Sequence, residues 1–298
     1  MDQDGALEVW RGCVNTWECD ELGHMNVRFY LARAFDGLAR LAAALGQPRA
    51  FAAEATATLK VARQHVRFLA EAHAGAPLHM TAGLVELHED GALTLQVLRH
   101  NDGRPCATVL SQLQHATPHG RAFPWPARTH GAVEALAVAV PDFAAPRNFT
   151  GQEPIDPTEA WGEGLKTICL APVASRDCDV FGYMTPDTAL ALISDGMNYL
   201  TQPVYAALAE VEPGLRLSTA ALEYRIDHLE RPRAGDLVEV RSRLTGVADK
   251  VVGVEHWLCD PVGHRVWARA RGVHANFDLD ARRARSFPAE VRARFPAI

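Results

Sequence analysis

Cys19-Asp20-Glu21-Leu22-Gly23-His24-Met25 returns 159 positions later as Cys178-Asp179-Val180-Phe181-Gly182-Tyr183-Met184. The register holds beyond the heptapeptide, with identical pairs at Leu31/Leu190, Ala32/Ala191, Asp36/Asp195, Gly37/Gly196 and Leu41/Leu200. One inserted residue later, Val66/Ile226, Leu69/Leu229, Gly75/Gly235 and Gly103/Gly263 pair at an offset of 160. A period of about half the chain makes the repeat unit a domain, and the chain a tandem duplication. Two domains also suit the length of 298 residues.

Outward from the repeated turn, each half reads as strand, loop, one long helix and a run of strands. In the first half Leu7–Trp17 precedes the turn. Leu31, Ala34, Phe35, Leu38, Leu41, Ala42 and Leu45 then follow helical spacing from Val27, and Gly46 and Pro48 stop the helix. Strands are predicted at Leu59–Leu69, Leu78–His88, Ala92–His100 and Pro105–His115, with Asp90-Gly91 and Asp102-Gly103 as hairpin signals. In the second half Thr185 and Pro186 suit a helix start. Ala189, Ile193, Met197 and Leu200 mark the buried stripe, and strands follow at Leu215–Ile226, Asp236–Gly246, Val251–Cys259 and Arg265–Phe277. This pattern predicts an α+β fold, an antiparallel sheet wrapped on one helix in each half. The boundaries are read as 1–128 and 161–298. Residues 129–160, with Pro141, Pro146, Pro154 and Pro157, form an interdomain linker carrying one short helix near Ala132–Val140. Two such units in one chain are expected to cover each other as a pseudo-twofold pair, and two chains to associate as a homodimer.

Composition excludes several classes. A net charge of −6 leaves no footprint for nucleic acid or an anionic membrane. No run approaches ~18 apolar residues. The start, Met1-Asp2-Gln3-Asp4, is acidic where a secretory signal would be basic. Six cysteines without a CxxC pair read as reduced thiols of a cytoplasmic protein. Thirteen histidines show no HExxH spacing, so no metal is expected. GxGxxG, GxxxxGK[ST] and GxSxG are absent, which argues against dinucleotide, P-loop and serine-hydrolase chemistry.

Asp20-x-x-Gly23-His24-Met25-Asn26, followed by Phe29-Tyr30-Leu31, resembles the Asp-x-x-Gly-His-(Val/Met)-Asn motif of hotdog-fold acyl thioesterases of the 4-hydroxybenzoyl-CoA thioesterase type. The resemblance implies two tandem hotdog domains and hydrolysis of acyl-CoA to a carboxylic acid and free coenzyme A, without a cofactor. It implies a catalytic role for Asp20 as nucleophile or general base, with His24 and Asn26 beside it, and an oxyanion donor in the N–H of Val27. Gly23, Met25 and Tyr30 are then expected against the substrate. Thioester hydrolysis needs an activated oxygen and a donor for the developing oxyanion. A carboxylate in a loop entering a helix N-terminus supplies both.

The second half departs from the motif. Val27, His24 and Asn26 become Pro186, Tyr183 and Thr185, and proline has no N–H to donate. One working site on Asp20 is therefore expected, with Asp179 kept for local structure. Structural roles stand beside the catalytic ones: Asp20 as a turn residue, His24 as a hydrogen-bonded turn histidine, Asn26 as the helix N-cap, Gly23 and Gly182 as backbone necessities. Asp36-Gly37 and Asp195-Gly196, poor helix formers inside helices, point to close helix contact between the halves or to an acidic group near the pocket. His65, Arg67 and His73, and likewise Arg225, His228, Arg231 and Arg233, read as a solvated strand face or as cations for coenzyme A phosphates. A hotdog enoyl-CoA hydratase or dehydratase, and an acyl-CoA-binding or regulatory module without turnover, are the competing functions. The hydratase motif spaces Asp and His five apart with Asn-Pro between them, whereas Asp20 and His24 are four apart.

Overall fold

The computed structural model describes residues 6–151 and 153–296; the acidic start at residues 1–4 lies outside them. The chain divides into two compact units, Met1–Arg147 with Ser175–Thr188, and Asn148–Ala174 with Ala189–Ile298. The breaks fall after Arg147, Ala174 and Thr188, so the second copy of the repeated turn counts with the first unit.

In the first unit, β1 (Leu7–Cys13) leads through the turn into α1 (Val27–Ala44), followed by β2 (Thr58–Phe68), β3 (Pro77–Leu87), β4 (Gly91–His100) and β5 (Pro105–Ala116). All neighbours are antiparallel, in the order β1-β3-β4-β5-β2. The helix lies on one face of this sheet and buries Tyr30, Leu31, Ala34, Gly37, Leu38, Leu41 and Ala42; of the expected stripe Phe35 is only half-buried, and Tyr30 and Gly37 take part in its place. Gly46, at φ 82°, turns the chain out of the helix in a conformation other residues adopt at a cost.

Strands β4 and β5 are buried along nearly their whole length, so both faces of the sheet are covered. The second cover is the segment expected to be a linker. After the short helices α2 (Ala127–His130) and α3 (Val133–Leu136), the Val138 N–H donates to the Leu84 carbonyl. Val138, Val140, Phe143 and Ala144 then pack on Leu95, Val97 and Leu110. Arg67 fastens this cover from the sheet side. Its guanidinium donates to the carbonyls of Asp142 (3.3 Å), Phe143 (2.7 Å) and Ala145 (3.2 Å). Arg67 and His65 are thus buried, and neither a solvated strand face nor a phosphate cradle describes them. Periodicity misses such a segment because it packs without regular structure.

The second unit repeats the plan: β6 (Lys166–Pro172), α4 (Pro186–Val211, its first turn counted with the first unit), β7 (Leu217–His228), β8 (Leu237–Val247), β9 (Val251–Cys259) and β10 (Val266–Asp278), with the two-residue β11 (Arg283–Ala284) on β10 and a final turn, α5 (Ala289–Arg292). The order is β6-β8-β9-β10-β7, the counterpart of the first. Here too the connection supplies the outer cover, Ile155, Ala160, Trp161 and Leu165 packing on Trp257, Cys259 and Val266. Arg225 donates to the Gly151 carbonyl and pairs with Asp227 at 3.0 Å, again a buried arginine tying connection to sheet.

Gly37 and Gly196 explain themselves within each unit. A Cβ on Gly37 would stand 2.8 Å from Val9 Cγ2, and one on Gly196 would run into the backbone carbonyl of Ile168. The close approach is of each long helix to the first strand of its own half. The second core also holds a buried polar chain. The Tyr224 hydroxyl meets His274 Nε2 at 2.8 Å and His256 Nε2 at 3.3 Å, and Ser242 Oγ meets His256 Nδ1 at 2.7 Å. Burial lowers His256 to about 3 and His274 to about 4. Among the described residues no helix is long and apolar enough to cross a membrane.

Candidate active site

The repeated turn is built the same way twice. Asp20 Oδ1 accepts from the N–H groups of Leu22 (2.9 Å) and His24 (3.0 Å), while its own N–H donates to the His24 carbonyl. Asp179 Oδ1 accepts from Phe181 (2.9 Å) and Tyr183 (3.0 Å), with the matching backbone bond to the Tyr183 carbonyl. Gly23 and Gly182 both sit at φ 80°, the left-handed conformation that closes the loop. One carboxylate oxygen of each aspartate is thus structural. Asp20 Oδ2 carries no hydrogen bond from the described residues and is the oxygen open to chemistry.

The turn delivers the chain into α1, whose first residues are half-buried. Asn26 is the N-cap, its side chain accepting from the Arg28 N–H at 3.0 Å. Val27 is the first helical residue, and its N–H has no acceptor among the described residues. It therefore keeps the donor capacity of a helix start. In the second copy the first helical residue is Pro186, which offers none.

The other expected residues separate. Met25 and Tyr30 are buried core side chains. The Met25 N–H is bound to the Ala72 carbonyl, and the Tyr30 ring lies edge-on to Phe68 at 5.3 Å. Burial pushes the Tyr30 hydroxyl far above its ordinary range. Gly23 is exposed in the turn, and His24 is half-buried beside it.

Two features were not legible beforehand. Arg28, one residue past Val27, donates to Asp177 Oδ1 (2.8 Å) and Asp187 Oδ2 (3.2 Å). Burial works against the Arg28 charge, yet its two carboxylate partners prevail and raise its pKa. Asp187 is itself pushed up by burial, against the pull of Arg28. The second feature is a cluster. His24 pairs with His73 as a single antiparallel bridge, and Glu71 faces both rings, 3.5 Å from His24 Nε2 and 4.0 Å from His73 Nε2. Glu71 carried no signal in sequence, because nothing in its spacing tied it to the turn.

The profile of the thioesterase-like superfamily matches residues 14–143 and 173–295. No curated protein matches the sequence. Among solved structures, the chain is similar to a protein described as an oleoyl thioesterase from Lactobacillus plantarum, at 13% identity and TM-score 0.67, covering 92% of this chain and 99% of that one. It is similar to a 12:0-ACP thioesterase from Umbellularia californica at 11% identity and TM-score 0.64, covering 90% and 93%. An acyl-ACP thioesterase from Bacteroides thetaiotaomicron aligns at 11% identity and TM-score 0.63, covering 89% and 96%. At these identities the likeness is one of fold: two hotdog units in tandem.

Proposed function

Since the chain belongs to the thioesterase-like superfamily, we propose that it hydrolyses acyl-CoA to a carboxylic acid and free coenzyme A, at one site built on Asp20. The carrying observation is the asymmetry between two turns of the same construction. Both hold an aspartate in the same hydrogen bonds, but only the first adds a helix-start N–H without an acceptor and a histidine.

The geometry supports the following course. A thioester carbonyl oxygen lies at the Val27 N–H, where the helix end favours developing negative charge. Asp20 Oδ2 takes a proton from a water as the water oxygen attacks the carbonyl carbon. The tetrahedral intermediate collapses, the C–S bond breaks, and the leaving thiolate takes up the proton held by Asp20. Alternatively Oδ2 attacks the carbonyl carbon directly, the C–S bond breaks as the thiolate leaves, and water attacks the Asp20 carbonyl of the resulting anhydride to free the acid. Single turnover in 18O water distinguishes the two, since only the second leaves label in Asp20. The Asp20-x-x-Gly23-His24-Met25-Asn26 motif supports the 4-hydroxybenzoyl-CoA thioesterase type within the superfamily. Six free cysteines support action in the reducing cytoplasm.

The test is release of free thiol from short, long, aromatic and polar acyl-CoAs, with acyl carrier protein thioesters in parallel. Turnover of any acyl-CoA that is lost in Asp20→Asn supports the proposal. Turnover of carrier-protein thioesters alone would move the substrate class, and binding without turnover would make the chain a sensor.

A further inference from the structure

We propose that His24, Glu71 and His73 form a binding site for a zinc-class divalent cation at the edge of the Asp20 turn. One ligand atom from each residue lies within 4.8 Å of the other two. A zinc ion with bonds of about 2.1 Å holds its ligands roughly 3.4 Å apart. His24 Nε2 and Glu71 Oε2, at 3.5 Å, already stand at that spacing; His73 Nε2 lies 4.0 Å from the same carboxylate, and with all three atoms within 4.8 Å a side-chain movement of at most about 1.4 Å closes the set.

The histidine orientation suits ligation. His73 Nδ1 lies 3.3 Å from the Gly23 carbonyl. An N–H donated there leaves Nε2 as the ring's lone-pair nitrogen, facing Glu71. Ligating histidines characteristically hold the far ring nitrogen on a carbonyl or carboxylate in this way. Two imidazoles and one carboxylate suit a borderline cation such as zinc better than the all-oxygen preference of magnesium or calcium. Three protein ligands on a partly exposed surface leave a fourth position to water.

The repeat supplies an internal comparison. The positions equivalent to His24, Glu71 and His73 are Tyr183, Arg231 and Arg233. Arginine has no lone pair to offer a metal, and two guanidinium charges repel one. Only the half with the intact motif carries a ligand set. The Gly23 carbonyl links that set to the turn holding Asp20, so a bound ion would also occupy the His24 lone pair.

The experiment is zinc titration of the full chain at pH 7.5 against a chromophoric chelator, with cobalt as a spectroscopic substitute. Neither readout requires turnover, so the result is independent of the proposed hydrolysis. We expect one equivalent bound per chain, four-coordinate cobalt bands in the visible, and a rise in Tm on loading by mass action. Glu71→Gln and His73→Ala are half-exposed or exposed positions whose variants should fold, and each should weaken binding at least tenfold. No stoichiometric binding at micromolar zinc would overturn the proposal. So would unchanged binding in the Glu71→Gln/His73→Ala double variant, which would place the ion on other histidines.

Discussion

Arg28 is joined to Asp187, its own counterpart in the repeat, by an ion pair of 3.2 Å. The arginine is shared with Asp177 at 2.8 Å. Asp187 is buried, so its removal leaves a guanidinium partly desolvated. Asp187→Ala should lower stability by about 2 kcal/mol in urea unfolding. A double-mutant cycle with Arg28→Met should return a coupling above about 1 kcal/mol; a coupling near zero would show that Asp177 alone holds Arg28.

Asparagine separates the two duties of the repeated aspartates. Its side-chain oxygen can still accept the two N–H groups that Oδ1 accepts, while the charge at Oδ2 is gone. Asp20→Asn should therefore fold normally and lose roughly 100-fold or more in thioester turnover, and Asp179→Asn should lose little. Alanine should cost each turn about 1 kcal/mol in thermal unfolding, whichever half carries it. Equal losses of turnover in the two asparagine variants would refute a single site.

Val27→Pro tests the oxyanion donor. Val27 is the first residue of α1, where proline is accommodated because its missing N–H breaks no intrahelical bond. Tm should change little while turnover falls about 100-fold or more. A stable variant with undiminished turnover would place the donor elsewhere.

The buried histidines of the second core set an acid limit. Folded pKa values of about 3 and about 4 lie below the unfolded value near 6.5. The unfolded state therefore binds more protons below pH 6.5, and stability falls as the pH drops from there towards 4. By pH 5 each neutral histidine should cost on the order of 2 kcal/mol. His256→Gln/His274→Gln should flatten the urea midpoint between pH 6.5 and 5. An equally steep loss in that variant would assign the acid sensitivity to other groups.

The two helix glycines should differ in what they tolerate. On Gly37 an added methyl meets the Val9 side chain, which can yield, whereas on Gly196 it meets the Ile168 backbone. Gly196→Ala should cost more than about 2 kcal/mol and Gly37→Ala about half as much, by denaturant unfolding. The reverse order would mean that the helix moves more easily than the side chain.

The sequence by itself determined the duplication, the antiparallel strands, the starts of both long helices and the turn that carries Asp20. These follow from spacing, proline, glycine and capping chemistry, which act within a few residues along the chain. The N–H of Val27 and its loss at Pro186 were legible for the same reason. Only the tertiary structure decided what lies far apart in sequence. It made the proline-rich connection a cover over each sheet, because irregular backbone packs without a period, and it turned Arg67 from a supposed surface cation into the clasp of that cover. It also brought Glu71 and His73 to His24, and Asp187 to Arg28. Those meetings depend on how β2 ends and where the second turn lies, which no local pattern encodes.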